Sequence, residues 1–177
     1  MAGGKDILEV ASGPGYLSIE LAKEPTFNVT ALDVSETFVQ IASQKAKENH
    51  VAVKFVVGNA SEMPFKDGQF DFIVCRAAFK NFSQPLDAIN EMYRVLRPVG
   101  KALIVDLRKD ISDQEIASYV KKMNLGKWDS LFTSMGLKNL RKRAHSNEEL
   151  ERMSRDSRFR KYQINKSLNS VELSLEK

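Results

Sequence analysis

With 177 residues, 42% hydrophobic and 28% charged, the chain has the composition of a globular protein able to bury one sizeable core. No apolar run reaches the roughly 18 residues of a membrane span, no basic-then-apolar leader opens the sequence, and the single cysteine, Cys75, rules out an internal disulfide or a multi-cysteine zinc site. The net charge of +4 is uneven: residues 1–107 hold 11 basic and 13 acidic side chains, residues 108–177 hold 16 and 10. A solvated basic face is the first reading of that excess, and attraction of an anionic substrate or a nucleic acid the second. A cytoplasmic protein is expected, with no membrane span and no metal.

Ile7, Leu8 and Val10 predict a buried parallel strand over about residues 6–11, which breaks at Gly13-Pro14-Gly15 before a helix opens at Tyr16. That helix runs to about Lys23, where Glu24-Pro25 ends it. A second strand, 29–32, delivers Asp33 at its carboxyl end, and Ser35 is a suitable N-cap for a helix to about Asn49. A third strand, 53–57, halts at Gly58-Asn59. After the turn Lys66-Asp67-Gly68 comes a fourth strand, 70–75. Pro85 suits the first turn of a helix whose stripe is Leu86, Ile89, Met92, Tyr93 and Leu96; Arg97-Pro98-Val99-Gly100 stops it, ahead of a fifth strand, 102–106. Strands alternating with helices at this spacing predict a doubly wound α/β sheet.

After Asp106 the rhythm changes. Ser112-Asp113 starts a helix with Ile116, Tyr119, Val120 and Met123 on one face. Trp128, Leu131, Phe132 and Met135 fall at i, i+3, i+4 and i+7, read as a second amphipathic helix packed through that stripe, with a substrate lid as the alternative. Ser146-Asn147-Glu148-Glu149 resembles a capping box before a third helix. Strands at 159–165 and 171–175 predict an antiparallel hairpin. The chain reads as one domain, 1–177: a binding core over 1–107, then a helical elaboration plus hairpin over 108–177.

Strand, glycine turn and helix in that order put backbone N–H groups and a helix N-terminus at a sheet edge, where nucleotides bind. The turn is not the dinucleotide fingerprint, because Ser18 stands where its third glycine belongs, and no Gly-Lys-Ser/Thr phosphate loop follows. Glu9-x-Ala11-x-Gly13-x-Gly15 instead resembles Glu-x-Gly-x-Gly-x-Gly of the class I S-adenosylmethionine-dependent methyltransferases, with Ala11 replacing the first glycine. Gly58-Asn59-Ala60…Met63-Pro64-Phe65 is similar to that family's Gly-Asp-Ala…Leu-Pro-Phe segment. Glu91-x-x-Arg94-Val-Leu-Arg97-Pro98-Val99-Gly100 is similar to its Glu-x-x-Arg-Val-Leu-Arg-Pro-Gly-Gly. With Asp33 and the strand Phe70–Val74, five segments in order cover roughly residues 5–107. Within the family, Arg76–Phe82 resembles the Leu-Arg-Asn-Phe region of ubiquinone/menaquinone-biosynthesis (methyltransferase-11) enzymes.

The resemblance implies a Rossmann-like doubly wound seven-stranded sheet, mostly parallel with an antiparallel last strand, and S-adenosylmethionine as cofactor. It implies a binding set of Glu9, Ala11, Ser12, Gly13 and Gly15 at the turn, Asp33 for the ribose hydroxyls, Val34 as an adenine wall, Asn59 and Ala60 at the adenine edge, and Arg76 beside the reacting methyl. Each has a plainer reading: a strand-to-helix turn for the glycines, helix initiation for Asp33, packing for Val34. Asn59 keeps an acceptor but lacks the charge of the usual aspartate. Cys75 reads as a small buried hydrophobe. Phe79, Lys80 and Asn81 are expected on the loop facing the acceptor, His145 at the surface and His50 away from the binding edge. No residue commits itself as catalytic. Strand one begins almost at Met1, so an open site without the family's leading helices is expected. The implied function is methyl transfer to a small-molecule acceptor by a monomer or homodimer. The alternatives are an RNA or protein methyltransferase using the basic last third, and a cofactor-binding or interaction domain without catalysis.

Overall fold

Ile7, Leu8 and Val10 are wholly or nearly buried because β1 (Lys5–Val10) has parallel neighbours on both sides, β2 (Phe27–Asp33) and β4 (Phe70–Arg76). The computed structural model describes residues 4–177. Its sheet continues through β3 (Val53–Val57) beyond β2, and through β5 (Leu96–Leu107), β7 (Ser170–Glu176) and β6 (Lys161–Lys166) beyond β4, in the order β3-β2-β1-β4-β5-β7-β6. Strand β7 runs opposite to the other six, pairing antiparallel with both β5 and β6. The expected mostly parallel seven-stranded sheet with an antiparallel last strand is what forms.

Alternate side chains along each strand face opposite sides, so one sheet builds two cores. Leu8, Val10, Leu32, Ile73, Cys75 and Ile104 face Ile89, Met92 and Val95 of α3 (Pro85–Val95) and Leu150 and Met153 of α6 (Asn147–Asp156). Ile7, Val29 and Ala31 face the other way, where α1 (Tyr16–Leu21) and α2 (Glu36–Glu48) supply Ile19, Ala42 and Ala46. The cap signals act as expected. Ser35 Oγ accepts from Phe38 N, and Ser112 and Ser146 form reciprocal capping boxes with Glu115 and Glu149 at the starts of α4 (Asp113–Lys122) and α6.

The Glu91–Gly100 motif is a set of staples. Glu91 accepts from Met63 N at 2.7 Å and pairs with Arg94, while Arg94 donates to the carbonyls of Met63 and Phe65 and to Asp67. The β3–β4 connection is thereby held on α3. Arg97 bridges Asp6 and Asp71 at the amino ends of β1 and β4.

Three expectations need correcting. The Arg97–Gly100 segment does not separate α3 from β5: the strand starts at Leu96, which pairs with Phe70, and a register shift before the Phe72–Lys101 pair absorbs the intervening residues. Val99 sits there at φ 61 with its side chain exposed. The Trp128 stripe is not a packing face. The helix that carries it, α5 (Lys127–Arg141), buries no residue fully and leaves Trp128, Leu131, Phe132 and Met135 exposed. His145 is not at the surface but half-buried, its ring 5.4 Å from that of Phe79 and its Nδ1 3.9 Å from Glu149.

Candidate functional site

In a sheet ordered 3-2-1-4-5, the strand order reverses between β1 and β4, and the crevice beyond their carboxyl ends is where such folds bind ligands. The sequence from Val10 to Tyr16 turns over that crevice. Ala11 (φ 58), Gly13 (φ 52) and Gly15 (φ 78) all adopt left-handed backbone, which carries the chain off β1 and straight into α1.

The two glycines do different things. A Cβ on Gly13 would meet no atom within 4 Å, so this residue faces the open crevice. A Cβ on Gly15 would lie 2.7 Å from Ala42 Cβ and 3.1 Å from the Phe55 ring, so this glycine lets α1 sit against α2 and β3. Among the expected binding residues, Gly15 alone lines neither part of the cleft. Ala11 holds its strained conformation with its side chain at the cleft wall, where the motif elsewhere has glycine.

Asp33 ties the site together. Its Oδ2 accepts from Gly13 N at 2.7 Å and its Oδ1 from Ser35 N at 2.9 Å, so the end of β2 fixes both the turn after β1 and the start of α2. An ionised carboxylate has about four lone-pair positions, and these two bonds leave two for a diol. Glu9, on the same face of the sheet, is 4% exposed and accepts from the fully buried Ser18 hydroxyl. Burial pushes its carboxyl above the ordinary value; the Ser18 hydrogen bonds and the Arg76 charge oppose this, and Asp33 adds to it. Beside them, Ser12 Oγ is buried at the cleft wall with no hydrogen-bond partner among the described residues.

The cleft has two contiguous parts. One, of about 470 Å³, is lined by Glu9, Ser12, Gly13, Tyr16 and Arg76 among others. The other, of about 210 Å³, is lined by Gly58, Asn59, Ala60 and Ser61. Ala11, Asp33, Val34, Asn81 and Phe82 border both. Asn59 Oδ1 accepts from Ser61 N at 3.0 Å, which fixes its side chain, and Val34, lining the same part, is 74% exposed. The structure thus gathers Glu9, Ala11, Ser12, Gly13, Asp33, Val34, Asn59, Ala60 and Arg76 around one cleft.

The sequence reading missed the part played by Ser18, whereas Asn81, expected on the loop facing the acceptor, does line the cleft, with Phe82 beside it. Asn81 ends the turn Phe79–Asn81 just after β4 and Phe82 follows it, which puts both at a carboxyl strand end. Lys80 was expected at the acceptor loop but is buried. Its Nζ donates to Asp106 Oδ1 at 2.8 Å and to Ala77 O at 2.5 Å, while its N–H donates to Asp106 Oδ2. This pair braces the ends of β4 and β5. Cys75 is fully buried, and burial pushes its thiol far up, so it offers no nucleophile.

Sheet order and crevice together define an α/β protein of the doubly wound class. Comparison narrows the class: the family model described as "Methyltransferase domain" matches residues 8–104, and the chain belongs to that family. The demethylmenaquinone methyltransferase of Listeria welshimeri is 36% identical over 106 residues, covering 58% of this chain and 45% of the relative. The match thus spans less than half the length of that curated relative. Among solved structures, a SAM-dependent methyltransferase from Aquifex aeolicus superposes with a TM-score of 0.74 at 20% identity, over 98% of this chain and 82% of that one. The plantazolicin methyltransferase BpumL, in complex with a triazolic desmethylPZN analog and SAH, gives 0.77 at 17% identity, over 98% and 76%.

Proposed function

We propose that the chain binds S-adenosylmethionine in this cleft and transfers its methyl group to a small-molecule acceptor. The observation that carries this reading is the Asp33 carboxylate, fixed by Gly13 and Ser35 with two lone pairs to spare, as a vicinal diol requires. The residues fit the cofactor elsewhere too. Ser12 Oγ awaits a partner, Gly13 leaves room for close approach, and Glu9 supplies a carboxylate for the cationic end. Val34 offers an apolar surface to the base, and Asn59 and Ala60 line the rim where its edge would lie.

When bound, S-adenosylmethionine supplies a methyl already activated on a sulfonium, so transfer needs alignment more than covalent help. Orientation alone can supply up to about 7–11 kcal/mol of a barrier. Arg76, Asn81 and Phe82 border the donor site and would orient what enters beside it. The names of the relatives, demethylmenaquinone and plantazolicin methyltransferase, support a small acceptor over a macromolecule. The test is transfer of labelled methyl from S-adenosylmethionine across a panel of small aromatic and heteroaromatic acceptors, with RNA and protein lysate alongside. Labelled small products support the reading. Label in RNA or protein alone would replace it, and cofactor binding without any turnover would favour a non-catalytic domain.

A further inference from the structure

Helix α5 is inside out. Half a turn apart on the same helix are two faces, and the one turned to α4 is Ser130, Thr133, Ser134 and Leu137, while Trp128 (74% exposed), Phe132 (66%), Met135 (58%) and Leu131 (50%) point to solvent. Met123 and Leu125, at the connection between α4 and α5, are exposed as well. The inward side of the pair is closed by a small cluster of Ile111, Ile116 and Val120 with Leu107 and Leu137. An apolar stripe of this size turned away from its own fold marks an interaction surface.

Its charge says which kind. Residues 121–143 carry seven Lys and Arg against one acid, Asp129. Lys138 and Arg141 pair with Asp113, but Lys121, Lys122, Lys127, Lys142 and Arg143 have no carboxylate partner among the described residues. A second copy docked face to face would oppose two identical sets of cations, which costs rather than stabilises. A nucleic acid would satisfy the cations but leave Leu131 and Met135 without an apolar environment. A bilayer with anionic lipids satisfies both, since Trp, Phe, Leu and Met enter the headgroup boundary while flanking lysines meet the phosphates.

We propose that the α4–α5 hairpin docks on an anionic membrane surface, lying in the interface. It does not span the bilayer; no helix among the described residues is long and apolar enough to do so. The surface is separate from the cofactor cleft, so the proposal holds or fails independently of the methyl-transfer reading.

Trp128 is the only tryptophan, so intrinsic fluorescence reports on this face directly. The full chain is mixed with vesicles of phosphatidylcholine alone, or of phosphatidylcholine with phosphatidylglycerol, and followed by emission and flotation. The expected result is a blue shift and flotation only with the anionic vesicles, weakened at high salt. Phe132→Ser with Met135→Ser should abolish the shift and weaken flotation at least tenfold. Lys121→Glu with Lys122→Glu and Lys127→Glu should do the same, at roughly fivefold per charge removed from the surface. All five positions are solvent-exposed, and unchanged far-ultraviolet circular dichroism checks the fold. No shift with anionic vesicles overturns the proposal. So does flotation unaffected by either variant set, a blue shift that grows with protein concentration in the absence of lipid, or a shift produced by an RNA oligonucleotide and not by vesicles.

Discussion

Asp33 Oδ2 accepts a hydrogen bond from the backbone N–H of Gly13 at 2.7 Å, so the acid ending one strand holds the glycine turn that ends the strand beside it. This long-range bond assembles the site. Asp33→Ala should free both Gly13 N and Ser35 N, lose about 2–3 kcal/mol of stability, and weaken cofactor binding at least a hundredfold. Asp33→Asn keeps one acceptor and should bind better than Asp33→Ala yet worse than the parent. Thermal melts and calorimetry with S-adenosylhomocysteine give the two readings.

Glu9 should trade stability for binding. Its folded-state pKa lies above the unfolded value, so its contribution to folding is fully present below about pH 4.5 and is lost as pH rises through the folded value. Glu9→Gln removes a buried charge while keeping an acceptor for Ser18. The expected outcome is a higher Tm at pH 7 without ligand, a difference that shrinks on acidification, and about ten- to hundredfold weaker cofactor binding from the lost charged contact. A lower Tm at neutral pH would contradict this.

Val99 is a β-branched residue at φ 61 whose side chain is 83% exposed, so it carries strain with little packing to offset it. Val99→Gly should stabilise by about 1 kcal/mol, raising Tm by about 2–4 °C and leaving cofactor binding unchanged. Differential scanning calorimetry of the pair measures it.

Arg94 joins α3 to the connection that carries Asn59–Phe65 toward the cleft. Arg94→Ala removes the guanidinium donor from the Met63 and Phe65 carbonyls and the charge partner from Glu91, and should cost about 2–3 kcal/mol. The Arg94 hydrogen bond also holds Glu91 below the usual carboxylate range, so its contribution is present above the unfolded value of about 4.5 and is lost as pH falls below it. The variant's deficit should therefore narrow in acid, as seen in urea melts at pH 7 and pH 4.

How much of this was legible in the sequence depended on whether the signal was local. Strands β1 to β4 are short apolar runs ended by turn residues, and all four lie close to the expected ranges. The caps at Ser35, Ser112 and Ser146 are equally local. Gly13 and Gly15 look alike in sequence, yet one faces a cleft and the other faces Ala42, because only the fold says what lies beyond a missing Cβ. Periodicity found the α5 stripe but could not say which face turns inward. The Lys80–Asp106 pair spans 26 residues and joins the turn after β4 to the end of β5, so no pattern announces it. The early start of β5 was hidden because Arg97-Pro98-Val99-Gly100 reads as a stop, whereas a register shift lets the strand pass through.

The most direct test of the cofactor site is isothermal titration calorimetry of S-adenosylhomocysteine into the parent chain and into Asp33→Ala. The account predicts one site per chain for the parent and at least a hundredfold loss in the variant. No heat of binding to the parent at millimolar ligand, or equal affinity in the two proteins, would contradict it.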